Sequence, residues 1–170
     1  MAGLPTPVLG RDDDEFEIAD RETLAAMSLA LASQARRSID LISRQLDPTI
    51  YDDEDFAGAV KNLALSSPQA RVRILVLDPG ALVTKGHRLL ELAQRLSSFI
   101  SIRRPAPEDR EFNEAWLVVD GTGYIHRRFS DRHEAQANFN DKRHAQLLSN
   151  RLEDLWYRAS PDPNFRRLHL

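Results

Sequence analysis

Apolar and polar positions along the chain follow two different periods, which divide it into helical and strand-like segments. From Asp20, apolar residues recur every three or four positions, which predicts a helix capped by Asp20. The segment from Ser38 has the two-residue period of a strand, and a second helix is predicted from Asp52 or Asp53. The apolar run over 72–77 predicts a central parallel strand covered on both faces.

The second half of the chain changes from helix-linked strands to a hairpin. The predicted elements are a helix (82–96), a short strand (99–103), two hairpin strands (115–119 and 124–127), a further strand (135–139) and a closing helix after Asn140. Asp120-Gly121, between the hairpin strands, is a dipeptide typical of a tight turn. This order predicts an α/β fold: a mixed sheet with helices on both faces.

Length and composition indicate one folded domain with two different ends. The 170 residues are 42% hydrophobic and 29% charged, which suits a single core. Two prolines and the acidic run 12–15 predict a flexible N-terminal arm over 1–19, leaving 20–160 as the domain. The tail 161–170 carries Phe165, Leu168 and Leu170, and it either frays or docks on a neighbouring subunit.

Charge and cysteine content exclude several classes of function. The formal net charge is -3 and the pI is about 6.0, whereas general polyanion binders usually exceed about 9, so nucleic-acid binding is not expected. Without cysteine the chain has no disulfide, thiolate metal site or thiol nucleophile. The histidines lack zinc-site spacing, so neither metal nor cofactor is predicted. No segment approaches the roughly 18 apolar residues of a membrane helix, and a cytoplasmic location is expected.

The sequence NEAWLVVDGTGYIHRRF, residues 113–129, resembles the active-site motif of the phospholipase D superfamily. That motif, HxKxxxxDG, begins a β-hairpin and is followed by a Gly-Ser pair that helps to hold phosphate. Asp120 and Gly121 match it. The nucleophile position is Asn113 and the lysine position is Ala115, while arginines 127 and 128 replace the Gly-Ser pair. The resemblance implies that 20–160 is one phospholipase D-like repeat with a degenerate motif.

In the superfamily, one histidine attacks phosphorus, a second protonates the leaving oxygen, and paired lysines stabilise the negative charge. Asn113 has no basic lone pair and Ala115 has no charge, so catalysis of this kind is not expected. Asp120 is predicted to be a turn residue whose carboxylate caps the hairpin. Since catalytic members use two repeats, fused or as a homodimer, the resemblance implies a homodimer. The chain is also similar to bacterial domains that accompany acetyltransferase modules, which implies an acetyltransferase-type partner.

The leading hypothesis is therefore a self-associating binding or regulatory module with a residual site for an anionic ligand such as phosphate. Arg103 and Arg104 end one strand and Arg127 and Arg128 end the hairpin, and in the resembling fold both ends lie near the cleft. The alternative is that these are solvated charges neutralised by nearby carboxylates, among them Glu108, Asp109, Glu111 and Asp131.

The competing class is a phosphodiesterase or phosphatidyl-transfer enzyme with non-standard residues, centred on His126 and the arginines. Since His126 alternates with Ile125, it faces the dimer cleft if Ile125 packs inward. The other histidines, His87, His133, His144 and His169, are predicted to be exposed polar surface. Trp116 and Trp156 are expected in the core or at a dimer interface. Tyr51 either lines the cleft with Asp47 or packs beside a helix cap.

Overall fold

The computed structural model describes residues 5–166, without the side chains of Asn164 and Arg166. The helices are α1 (Arg21–Ser33), α2 (Pro48–Tyr51), α3 (Glu54–Ser66), α4 (Gly80–Lys85), α5 (Arg88–Arg95) and α6 (Lys142–Arg158). The strands are β1 (Phe16–Ile18), β2 (Ser38–Ser43), β3 (Arg71–Val76), β4 (Ile100–Arg103), β5 (Ala115–Val119), β6 (Gly123–Arg127) and β7 (Ala135–Asn138). His169 and the tail leucines, Leu168 and Leu170, lie outside the described residues.

All seven strands form one mixed sheet in the order β1-β7-β6-β5-β2-β3-β4. Strands β2, β3 and β4 are parallel, and the helical connections between them cover one face. Strands β5, β6 and β7 are antiparallel, and β5 joins the two halves by pairing with β2. The predicted α/β class, a mixed sheet with helices on both faces, is confirmed.

Two apolar cores lie on the two faces of the sheet, and strand alternation assigns residues to each. Leu117 and Ile125 point towards the larger core, which is closed by α1, α3 and α5. Trp116 and Val118 point to the smaller core, where α6 contributes Trp156 and other apolar residues. Both tryptophans are therefore core residues of this chain. No helix in the described part of the chain is long and apolar enough to cross a membrane.

The predicted third helix is two helices, because the chain changes direction between them. Gly86 ends α4 with a φ of 75°, a value that glycine adopts without steric cost. His87 then caps α5 through its ring: Nδ1 accepts from the amide of Leu89 at 3.0 Å. His87 is buried, so the prediction of an exposed polar residue is wrong for this histidine. Its ring satisfies a helix end that solvent does not reach.

The N-terminal segment differs from the predicted flexible arm within the residues that are described. Phe16–Ile18 form β1, which pairs antiparallel with β7 at the edge of the sheet. Upstream, the amide of Gly10 donates to the carbonyl of Phe139, and Gln34 bonds both Pro7 and Leu9. The pairing with β1 satisfies main-chain groups of β7, and the Gln34 side chain satisfies main-chain groups of Pro7 and Leu9.

Candidate functional site

The degenerate nucleophile position lies in a network of side-chain hydrogen bonds at the start of β5. Asn113 Oδ1 accepts from the hydroxyl of Ser130 at 2.8 Å and from Arg44 at 3.3 Å. Arg44 also donates to Ser130 Oγ at 2.9 Å and to the carbonyl of Phe112 at 3.0 Å. Sequence reasoning missed both partners, although Arg44 directly follows β2 and Ser130 follows the hairpin. The network fixes the orientation of the Asn113 amide.

The degenerate lysine position is closed to solvent, and a different cation lies beside it. Ala115 is 1% exposed and is the register partner of Arg127 across the hairpin. Directly opposed residues have their Cβ atoms roughly 5 Å apart, so the side chain of Arg127 begins beside the methyl group of Ala115. The positive charge beside Ala115 therefore belongs to Arg127, on the neighbouring strand β6.

Arg127 is only 2% exposed, and its donors are used within the chain. It pairs with Asp47 at 3.2 Å and donates to the carbonyls of Ser130 and Arg132. Tyr51 lies against this pair, and burial raises its phenolic pKa to about 12, so it is neutral at ordinary pH. Tyr51 is 2% exposed and packs edge-on against Phe56, in the first turn of α3, so it packs beside a helix cap and does not line a cleft.

Asp120 lies at the opposite end of β5 in a left-handed turn with a φ of 56°. Its carboxylate accepts from three successive main-chain amides, those of Arg36, Arg37 and Ser38, at 2.7 to 3.2 Å. It is a turn residue, as predicted. The prediction that its carboxylate caps the hairpin is wrong, because the carboxylate binds the distant connection between α1 and β2. Asp120 therefore ties the hairpin to the parallel half of the sheet.

His126 faces α6, on the opposite side of the sheet from Ile125. Its Nε2 donates to Glu114 Oε1 at 2.7 Å, and its Nδ1 lies 3.4 Å from Nε2 of His144. Burial lowers the pKa of His126, partly offset by the Glu114 carboxylate, so the ring is neutral near pH 7. Arg151 forms a bidentate pair with Glu114 and covers Trp116. The contacts among Glu114, His126, His144 and Arg151 join the hairpin to α6.

The four arginines predicted to converge form two separate groups. Arg103 and Arg104 end β4, at the opposite side of the sheet from the hairpin, and β5, β2 and β3 lie between. Four strand spacings put β4 about 19 Å from β6. Arg103 donates to the carbonyl of Trp156 and covers its ring, whereas Arg104 pairs with Asp162. The predicted single anion site of four arginines is therefore not formed within one chain, because the strand order separates its members.

Arg128 is exposed and lines a cavity of about 320 Å³ together with His126. The same cavity is bordered by Arg132 and by two glutamates, Glu17 and Glu134. Phe129 contributes an apolar side that is 49% exposed. His133 and His144 are half-buried rather than fully exposed. Within residues 5–166, no three histidine or acidic side chains are grouped so that they could hold a metal ion.

This fold is found in several solved structures. Nuc from Salmonella typhimurium, a phospholipase D family member, superimposes with a TM-score of 0.59 at 14% identity, over 88% of this chain and 97% of Nuc. Phosphatidylserine synthase from Haemophilus influenzae gives 0.60 at 12% identity, over 92% of this chain and 41% of the synthase. TrmBL2, an archaeal chromatin protein with a novel mode of DNA binding, gives 0.61 at 15% identity, over 87% and 54%. The chain thus spans about half the length of TrmBL2.

These similarities define the class: the protein has the phospholipase D-like fold. At the level of sequence, residues 20–168 match the family described as a domain of unknown function, DUF7931, and the chain belongs to that family. A comparison with curated protein sequences finds no significant match.

Proposed function

We propose that the protein is a catalytically degenerate phospholipase D-like domain that acts as a self-associating binding or regulatory module. The observation that carries this proposal is the state of Asn113, whose amide oxygen is held by Ser130 and Arg44. An amide neither attacks phosphorus nor transfers a proton at useful rates, and losing a nucleophile costs several orders of magnitude in rate. The buried Ala115 removes the electrostatic partner of that step.

Two observations support self-association. The chain covers nearly all of Nuc but less than half of the synthase, which fits a single repeat that is completed by a second copy. Phe129 is a large apolar side chain that is 49% exposed at the Asn113 end of the hairpin. Trp116, in contrast, is buried within this chain and offers no surface for a partner. The proposed homodimer therefore uses the Asn113 end, with Phe129 in the interface.

An anionic ligand belongs to the same proposal in a narrower form. Of the five residues predicted to bind it, Arg128 and His126 remain the candidates, because both line the cavity beside β6. Arg127 is committed to Asp47, and Arg103 lies on the far strand. An acetyltransferase-type partner, expected from the resemblance, would act through the same binding role.

The loss of catalysis is tested with bis-(p-nitrophenyl) phosphate, with and without divalent metal. We expect no hydrolysis above background, while a superfamily enzyme with the complete motif serves as the positive control. Turnover that survives purification and disappears in a His126→Ala variant would contradict the proposal.

Self-association is tested by light scattering at micromolar concentration, where we expect about twice the 19.3 kDa chain mass. A Phe129→Asp variant should shift the mass to that of a monomer. Tyr157→Asp is the matched control, because Tyr157 is a more exposed aromatic residue, 88% accessible, on α6. A monomeric parent protein would contradict the dimer, and equal effects of the two variants would contradict the assigned interface.

A second candidate function is a phosphodiesterase or phosphatidyl-transfer enzyme with non-standard residues. The chain from Glu114 through His126 to His144 favours it, because a carboxylate that orients a neutral imidazole is a common arrangement for a general base. The proposal of a binding module is preferred because His126 is 8% exposed and both of its ring nitrogens already have partners.

A further inference from the structure

A wide groove lies at the end of the sheet opposite Asn113, between the first turns of α6 and the beginnings of β2 and β3. It encloses about 1010 Å³, and Asp120-Gly121 forms one end of it. Its lining is almost entirely polar, with amide and hydroxyl side chains from β2, α6 and the α3–β3 connection. The groove therefore includes Asp120-Gly121 but is separate from Asn113, Ala115 and the cavity beside His126.

The charges in this groove are unlike those of the whole chain. Its lining holds five cationic side chains and three carboxylates, a formal charge of +2, whereas the chain has a net charge of -3. All three carboxylates are occupied: Asp40 and Glu153 pair with Arg73, and Asp120 accepts three main-chain amides. The groove is therefore locally positive on a chain that is negative as a whole.

The remaining cations are available to a ligand. Arg71, Lys142 and Arg143 are exposed, and among residues 5–166 none of the three is paired with a carboxylate. Two of them, Lys142 and Arg143, begin α6, a helix of 17 residues with no acidic residue in its first turn. Cations at this position oppose the helix dipole and reduce stability. The carboxylate of the N-cap residue, Asp141, offsets part of this cost and accepts from the amide of His144 at 3.0 Å.

We propose that this groove binds a ligand that carries several phosphate groups. Arginine and lysine are the side chains that recognise phosphate, through charge-assisted hydrogen bonds. The four exposed cations, Arg37, Arg71, Lys142 and Arg143, come from the α1–β2 connection, β3 and α6. They surround a groove of about 1010 Å³, which has room for more than one phosphate group. Among the described lining residues none is aromatic, which disfavours single-stranded nucleic acid, because its bases stack on aromatic rings.

The test is a calorimetric titration of the full chain with inorganic tripolyphosphate at constant ionic strength. We expect saturable binding that is tighter than that of orthophosphate and that weakens as salt is added. An Arg71→Gln, Arg143→Gln variant should bind about tenfold more weakly, since two charge-assisted contacts are lost. The matched control is Lys61→Gln, Lys85→Gln, which removes the same charge from exposed positions on α3 and α4.

Two results would overturn the proposal. One is an equal loss of affinity in the two double variants, which would show that net charge alone attracts the anion. The other is a failure to bind tripolyphosphate more tightly than orthophosphate, or to bind it at all. If a 20-base-pair duplex binds while tripolyphosphate does not, the groove is a nucleic-acid surface instead. Because the mutated side chains are exposed, we expect both variants to fold, and thermal melts check this. An Arg128→Gln variant should bind tripolyphosphate normally, which keeps this groove distinct from the cavity beside His126.

Discussion

Asn113 and Asp120 lie near the two ends of strand β5, and they have different kinds of hydrogen-bond partner. At one end Asn113 is exposed and its partners are two side chains, Ser130 and Arg44. At the other end Asp120 binds three main-chain amides of the α1–β2 connection.

The difference separates residues that serve chemistry from residues that serve the fold. Removing a carboxylate that accepts from three amides lowers the free energy of unfolding, because each amide loses a charge-assisted hydrogen bond. A nucleophile contributes to rate rather than to stability, so its replacement leaves the fold intact. We therefore expect Asp120 to contribute more to the stability of the sheet than Asn113 does.

The largest expected effect comes from restoring the lysine of the motif. Ala115→Lys places an ammonium group at a position that is 1% exposed and directly opposite Arg127. We expect the free energy of unfolding to fall by about 4 kcal/mol, because a desolvated charge beside a like charge is unfavourable. Urea denaturation measures this loss, and Ala115→Met controls for added volume. A stable Ala115→Lys protein would show that the site is still open to the original chemistry.

Removing Arg127 should have the next largest effect. Arg127→Met leaves Asp47 and two carbonyls without their buried partner, at a cost of about 3 kcal/mol. The adjacent Arg128→Met, at an exposed position, should cost less than about 0.5 kcal/mol. Urea unfolding of the two variants measures both losses. Similar small losses in the two variants would mean that Arg127 is available for a ligand rather than committed to the fold.

The comparison between the two ends of β5 can be measured directly with two alanine substitutions. Asp120→Ala should lower the free energy of unfolding by about 2 kcal/mol, since three amides lose their acceptor. Asn113→Ala should lower it by about 1 kcal/mol or less, because Asn113 is exposed and water replaces its contacts. If Asn113→Ala proved the more damaging change, the division between a chemical end and a structural end would be wrong.

The smallest effect concerns pH and His87. Burial lowers the pKa of this ring, so the folded protein holds it neutral, with Nε2 donating to the carbonyl of Leu46. The unfolded chain takes up a proton first, near its ordinary pKa of about 6.5, so this contribution to stability is complete above that pH and declines as the pH falls. Unfolding free energies at pH 7.5 and 5.5 should therefore differ less in His87→Asn than in the parent. An identical pH dependence would refute the assignment.

Periodicity was sufficient to predict the class of the fold and the position of nearly every strand, because both depend on local alternation. The strand order was not predictable from it, and the proposed convergence of four arginines failed for that reason. The partner of Asp120 was also missed, since its amides lie more than 80 residues earlier in the chain. The burial of Arg127 could have been predicted: it alternates with His126 and therefore shares the core-facing side of Ile125. Strand β1 was missed because three residues next to an acidic run give little pattern.

The short strand β1 lies outside the residues that match the family, so a truncated protein that starts at residue 20 would lack it. The family match begins at residue 20, whereas β1 ends at Ile18, so a version cut to the family boundary would lose the strand that covers β7. The freed edge of β7 would present a row of unpaired amides and carbonyls, the surface on which neighbouring chains add as extra strands. Three residues outside the family boundary thus cover the edge of β7.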